Sequence, residues 1–223
     1  MKIFLDTANI DDIKRFARIG IIDGVTTNPA LVAREGRNFR EAVEEICEII
    51  NGPVSAEVIG TTADVMVDEA RKISKIHPNI VVKIPATPAG FEALGIVSKD
   101  GIKVNFTIVY TSNQALLAAK LGATYVSPFV GRLDANSTSG SDLIREIVTI
   151  YKNFNFQTQV LAASMRNVIY VKEAALAGVH VATIPPDILD QMMHNELTDI
   201  SLKGFLNEWH KLPPEKRNYF DKD

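Results

Sequence analysis

The sequence predicts an α/β chain folded as a (β/α)8 TIM barrel with an additional C-terminal helix. Three observations lead there. Short apolar, β-branched runs alternate with longer segments of helical period along the chain. Eight such pairs follow one another, and this repetition implies a parallel sheet with right-handed crossovers. The length, 223 residues, suits eight short units closed on themselves, with an open doubly wound sheet as the rival arrangement. No Ser- or Gly-rich tract and no shift in composition breaks the chain. Residues 1–223 therefore read as a single domain, with a C-terminal helix and tail at about 198–223.

The elements follow in order. Strand one is "KIFLD", ending on Asp6. In "NIDDIKRFARIG", Asn9 is a helix cap and Asp12 an acid at the third position. Strand two, "GVTT", runs into Asn28 and Pro29, a cap followed by a proline in the first turn. In "EAVEEICEII", Val43, Ile46, Cys47 and Ile50 share one helix face, which makes the single cysteine a buried structural thiol. Strand three is "VSAEVI", followed by the helix "TADVMVDEARKIS". Strands four and five are "IVVKIP" and "KVNFTIV", and the helix after strand five closes on Gly122. "TYVSPFV", the helix "SDLIREIVTIYKN" and "QVLAAS" continue the alternation. "EAALA" closes on Gly178, and "HVATIP" is strand eight. "DILDQMM" and "DISLKGFLNEWHKL" come after it. In the second, Leu202, Phe205, Leu206 and Trp209 form one apolar stripe. The barrel already has its helices, so this stripe covers either its own barrel or another subunit. The final "LPPEKRNYFDKD" reads as an extended surface tail.

Composition excludes several functions. Hydrophobic residues make up 46% and the net charge is −3, which gives no general affinity for nucleic acid. No run approaches the ~18 apolar residues of a membrane span. The N-terminal stretch carries Asp6 and lacks an apolar signal region, so a soluble, cytoplasmic protein is expected. One cysteine forms no intramolecular disulfide. There is no GxGxxG or GxxxxGK[ST]. His77, His180, His194 and His210 lack ligand spacing, and neither HExxH nor CxxC occurs. No metal or cofactor is expected.

Chemistry in a barrel gathers at the C-terminal strand ends, and there the sequence is polar. Asp6 ends strand one, and Thr26 to Asn28 end strand two. Glu57 and Lys83 lie late in strands three and four. Asn105 and Thr107 share a face of strand five, as Ser127 and Phe129 do in strand six. Arg132 follows strand six, and Ser164 and Arg166 follow strand seven. A packing layer would use Val, Ile and Leu instead.

Lys83 is the centre of the set. Burial disfavours its ammonium, and a neutral amine condenses with a carbonyl to give a Schiff base. The alternative is a structural ion pair with Glu57 or Asp6, but buried pairs are poor stabilisers. Asp6 is placed as a general base. Glu57 either balances Lys83 or positions a water. Asn28 is fully explained as a cap, so its position leaves a chemical role open. Arg132, Ser164 and Arg166 form a second set suited to a phosphate group, with a salt bridge to Asp134 in the same loop as the alternative for Arg132.

Taken together, "FLDTAN", "GVTTNP", "VVKIPAT", "VNFTIVY", "SPFVGRLD" and "AASMRN" resemble the transaldolase family, in order and across nearly the whole chain. The short, uninterrupted chain is similar to the small microbial transaldolases and the related fructose-6-phosphate aldolases. The resemblance implies a Schiff base on Lys83, acid/base work by Asp6, and a catalytic water held by Glu57 with Thr107 beside it. It implies substrate contacts from Asn28, Asn105 and Ser127, and a phosphate site of Arg132, Ser164 and Arg166. The aldolases carry glutamine at the position of Glu57 and tyrosine at that of Phe129, so both positions resemble a transaldolase. The implied substrates are sugar phosphates of the non-oxidative pentose phosphate pathway. Release of free dihydroxyacetone, and a non-catalytic sugar-phosphate-binding barrel, are the alternatives. Small relatives are commonly decamers of two pentamers, which implies a homo-oligomer.

Overall fold

The structure is a computed structural model that describes residues 1–135 and 139–217. Eight parallel strands close into a barrel in chain order. They are β1 (Lys2–Asp6), β2 (Gly24–Thr26), β3 (Val54–Glu57), β4 (Ile80–Pro85), β5 (Val104–Val109), β6 (Tyr125–Pro128), β7 (Gln159–Ala162) and β8 (Val181–Ile184). Between β1 and β4 lie α1 (Ile10–Ile19), α2 (Pro29–Arg34), α3 (Phe39–Ile49) and α4 (Ala63–Ile73). Then come α5 (Pro88–Val97), α6 (Ser112–Lys120), α7 (Val130–Asp134), α8 (Gly140–Asn153) and α9 (Val168–Ala177). After β8 follow α10 (Pro186–Met193) and α11 (Glu196–His210). The open-sheet alternative is excluded by the pairing of β1 with β8, where Leu5 lies opposite Ile184.

The caps sit where the sequence places them. Asn9 Oδ1 accepts the Asp12 N–H at 3.0 Å, and Asn28 Oδ1 accepts that of Leu31 at 2.9 Å. Gly178 closes α9 at φ 77°, a conformation that costs a residue with a Cβ about 1–2 kcal/mol. Two details go beyond the sequence expectation. Unit two carries two helices, α2 and α3, and unit six begins with the five-residue α7.

Each strand has two faces. The outward one packs on the helices in the main core, with Ile13, Phe16, Ile46, Leu94, Phe106 and Ile144 fully buried. Burying such side chains contributes about 1.5–3 kcal/mol apiece. Cys47 belongs to this layer; burial first, then the charge of Glu44, pushes its thiol up to about 12. The inward face is apolar low in the barrel, where Phe4, Val81, Tyr125, Leu161 and Val181 form a plug. Phe4 and Tyr125 meet edge-on at 5.9 Å. Above this plug the inward face turns polar. Lys83 shares it with Val81, two residues earlier.

α11 does not rejoin the barrel. None of its residues is buried, and Phe205 is 73% exposed. Of the expected stripe, Leu202, Phe205 and Leu206 stay exposed among the described residues. Pro214–Lys216 form a 3₁₀ turn in the expected tail, and the tail beyond residue 217 lies outside the described residues. No helix among those described is long and apolar enough to cross a membrane.

Candidate active site

Parallel pairing sets the site's layout. Lys83 on β4 lies opposite Glu57 on β3 and Asn105 on β5, so three neighbouring strands present polar side chains at one level. Asp6 lies opposite Thr26 in the same way. Above the plug opens a cleft of about 160 Å³. Asp6, Asn28, Lys83, Asn105, Thr107 and Ser127 line it. So do Phe129, Arg132, Ser164 and Arg166, from the segments that follow β6 and β7. Glu57 is set behind Lys83, where it also borders a larger apolar groove of about 440 Å³ walled by Val32, Phe39, Ile59 and Ile73. The charged groups at its edge are engaged elsewhere, Arg37 with Glu45, Lys72 with Asp68 and Glu69 with the Ile59 and Gly60 N–H groups, so the smaller cleft is the better candidate for chemistry.

Lys83 is 6% exposed. Its Nζ lies 3.2 Å from Glu57 Oε2 and donates to the Thr27 carbonyl at 3.0 Å. Of the two partners the sequence offered for Lys83, Glu57 is the one within ion-pair distance, and the Thr27 carbonyl is a second acceptor that the sequence did not suggest. A buried cation needs such partners to be tolerated.

Asp6 differs. Burial raises its pKa above the ordinary carboxylate value, opposed by the charge of Lys83 and by a hydrogen bond from Thr26. The Thr26 hydroxyl donates to Asp6 Oδ1 at 2.7 Å and meets the Thr183 hydroxyl at 2.6 Å. Burial thus works toward a carboxyl that holds its proton more readily than a surface aspartate.

Beneath the cleft runs a second network. Ser127 Oγ donates to Asn105 Oδ1 at 2.6 Å, and Asn105 Nδ2 donates to Ser55 Oγ at 3.2 Å. Asn105 is thereby oriented from two sides. The Thr107 hydroxyl is buried with no hydrogen-bond partner among the described residues, although it lines the cleft. Polar atoms buried without a partner are uncommon and costly, so this one is available to a bound molecule.

The sequence reading placed Thr26 at a polar strand end without a role, and passed over Thr183 and Ser55. The signal was present for both of these. Thr183 is the polar member of "VATI", and Ser55 stands two residues before Glu57, on the same face. Two backbone features carried no signal. Ile108 has φ 59° and Ser164 φ 61°. For a β-branched residue that conformation costs about 1–3 kcal/mol. It coincides with a register shift between β5 and β6 that spans Phe106 to Val109, beside Thr107.

At the arginine end the backbones pack without room for side chains. A Cβ on Gly131 would lie 2.3 Å from the Ser164 carbonyl oxygen and 3.0 Å from Arg166 Cγ. Phe129 bridges to Ala163 just below, and its ring meets Tyr110 edge-on at 6.0 Å. His180 stands at the opposite barrel end, where its Nδ1 accepts the Val160 N–H at 3.1 Å.

Comparison with known proteins bears on the fold and on the family. At 10% identity, the crystal structure of a putative fructose-1,6-biphosphate aldolase from Coccidioides immitis matches with a TM-score of 0.57 over 97% of this chain and 81% of its own; this likeness shows the barrel alone. A protein of Caldicellulosiruptor saccharolyticus described as "Probable transaldolase" is 54% identical over 214 residues, 96% of this chain and 99% of its own. One from Methanococcus maripaludis, described in the same words, is 54% identical over 209 residues, 94% and 97% of the two chains. The profile of the family described as "Transaldolase/Fructose-6-phosphate aldolase" matches residues 3–219. On that match the chain belongs to the transaldolase/fructose-6-phosphate aldolase family.

Proposed function

We propose that the chain is a transaldolase that carries a dihydroxyacetone unit as an imine on Lys83. The observation that carries this reading is the buried Lys83 ammonium, 3.2 Å from Glu57, in a cleft that Asp6, Arg132 and Arg166 also line. Nucleophilic attack requires the free amine, and Glu57 is the adjacent acceptor for its proton. Lys83 Nζ adds to the ketone of fructose 6-phosphate or sedoheptulose 7-phosphate. The carbinolamine loses water, with Glu57 and the Thr107 hydroxyl holding that water. Asp6 takes the proton from the C4 hydroxyl, and the C3–C4 bond electrons flow to the iminium. An aldose phosphate leaves, and the enamine then adds to erythrose 4-phosphate or glyceraldehyde 3-phosphate.

Asn28, Asn105 and Ser127 bind substrate hydroxyls in this scheme. Arg132, Ser164 and Arg166 take the phosphate, where paired guanidinium groups suit a dianion. The iminium is the electron sink, so the reaction calls for no metal or cofactor. Phe129 favours transfer over release of free dihydroxyacetone. It brings no hydroxyl to protonate the enamine, which survives to meet an acceptor.

Incubation with fructose 6-phosphate and borohydride is expected to leave a reduced three-carbon adduct on the Lys83 peptide, seen by mass spectrometry. Before reduction, erythrose 4-phosphate is expected to remove it. An adduct elsewhere, or none, would sink the mechanism. An adduct that decays to free dihydroxyacetone as fast without acceptor as with it would favour the aldolase.

We further propose a cytoplasmic enzyme of the non-oxidative pentose phosphate pathway that works as a homo-oligomer. It binds sugar phosphates and neither nucleic acid nor membrane. The oligomer rests on α11, whose Leu202, Phe205 and Leu206 are 54%, 73% and 46% exposed; a second copy is the proposed cover. Light scattering is expected to give a multiple of the 24.5 kDa chain mass. A monomer at micromolar concentration would refute it.

A further inference from the structure

The two arginines come from different places. Arg132 belongs to α7, and Arg166 stands in the turn between β7 and α9. Two cations that hold one anion must first be held relative to each other, against their own repulsion. α7 is five residues long, and one short turn of helix is a weak anchor.

Asp134, the last residue of α7, joins three elements. Its Oδ1 accepts the N–H of Gly140 at 3.0 Å. That N–H opens the fourteen-residue α8, where a helix N-terminus favours a carboxylate. On α9, Tyr170 is near enough to feel the same carboxylate: burial first, then the charge of Asp134, raises the phenol's pKa, and the charge of Arg166 works against them. Tyr170 is therefore within electrostatic reach of both Asp134 and Arg166. Asp134 Oδ2 is buried with no hydrogen-bond partner among the described residues.

The surroundings leave small room for adjustment. A Cβ on Gly140 would lie 2.6 Å from the Val130 carbonyl oxygen, so α8 starts directly against α7. Gly131 meets Ser164 and the Arg166 stem as closely. Ser141 donates to Glu173, a second tie between α8 and α9. Asp134, two residues from Arg132 on α7, and Tyr170, within reach of the Arg166 charge, thus stand where α7, α8 and α9 meet, and a sub-ångström change in spacing there passes to both arginines.

We propose that Asp134, together with Tyr170, is a positioning residue that sets the spacing of Arg132 and Arg166 and thereby the preference for phosphorylated over unphosphorylated substrates. The inference rests on the reading that these arginines bind the substrate phosphate. It assigns neither residue a contact with substrate.

The test compares Asp134→Asn, Tyr170→Phe and the double variant in the full-length protein. Asparagine keeps an acceptor for Gly140 and loses the charge; phenylalanine removes only the hydroxyl. Each single variant is expected to raise KM for fructose 6-phosphate about five- to tenfold, with kcat within about twofold. Affinity for inorganic phosphate, measured by calorimetry, is expected to fall by the same factor. Turnover of unphosphorylated fructose is expected to change less than about twofold, and the double variant to match the weaker single one, as coupled residues do.

A purely structural role would instead lower the thermal midpoint and slow both sugars alike, which would overturn the proposal. Multiplying effects in the double variant would also overturn it. The phosphate titration needs no turnover. If the wild type used neither sugar but bound phosphate, and both variants bound it more weakly, the transaldolase reading would fall and this one would stand.

Discussion

Lys83→Met is expected to abolish turnover and to destabilise the fold, and the two losses have separate causes. Methionine keeps the length of the side chain and removes the amine. Without a nucleophile no imine forms, and the rate falls on the order of 10⁴-fold or more. Borohydride then traps nothing. The stability loss comes from what is left behind. Glu57, whose side chain is 13% exposed, loses the cation 3.2 Å away, and the Thr27 carbonyl loses its donor. Removing one member of a buried pair costs about 3–5 kcal/mol, because the survivor remains desolvated. Partial exposure of Glu57 places the expected value near the lower end, about 3 kcal/mol, read as a lower urea midpoint at unchanged slope. Adding Glu57→Gln is expected to recover most of the stability and none of the activity. If Lys83→Met were as stable as the wild type, the Lys83–Glu57 pair would not be the dominant charge interaction of the site. If it kept measurable transfer, the covalent mechanism would be wrong.

Much of this site was legible because a barrel strand obeys a period of two. Once Val81, Lys83 and Pro85 share a face, Lys83 must point inward, and the same rule fixes Asn105 with Thr107 and Ser55 with Glu57. The rule also explains what was missed. It says which residues point inward, not which of them meet. That Thr26 serves Asp6 depends on the register of β1 with β2, a tertiary fact. The Asp134–Tyr170 seam depends on how two loops of different units pack, for which the chain has no local signal. The positive φ of Ile108 runs against local preference, since a β-branched residue is the least expected occupant of that conformation. The stripe on α11 was readable from its spacing. That no α11 residue is buried among the described residues needed the fold.

Asp6→Asn tests the other half of the site, and here activity and stability are expected to move in opposite directions. Burial raises the pKa of Asp6 more than Lys83 and Thr26 lower it. Between the unfolded value and the raised native one, the folded state binds more protons than the unfolded state. Stability therefore falls as pH rises through that window. Above it, the ionised Asp6 is a net cost to the fold. Asparagine removes that cost and keeps an acceptor for the Thr26 hydroxyl, which now reaches Asp6 Oδ1 at 2.7 Å. The variant is expected to melt higher than the wild type at neutral pH, and the gain is expected to vanish below the unfolded aspartate value. Catalysis moves the other way. An amide cannot take the C4 hydroxyl proton, so kcat is expected to fall about 10²–10⁴-fold. The wild-type kcat/KM is expected to decline on the acid side, above the pH at which an ordinary aspartate would titrate, and the variant is expected to lack that limb. Imine formation on Lys83 does not need Asp6 in this scheme, so the borohydride adduct is expected to persist in the variant with the sugar carbon chain uncleaved. A variant that melts lower at neutral pH would mean that the Lys83 and Thr26 interactions outweigh desolvation. A variant that still cleaves the C3–C4 bond would remove Asp6 from the mechanism.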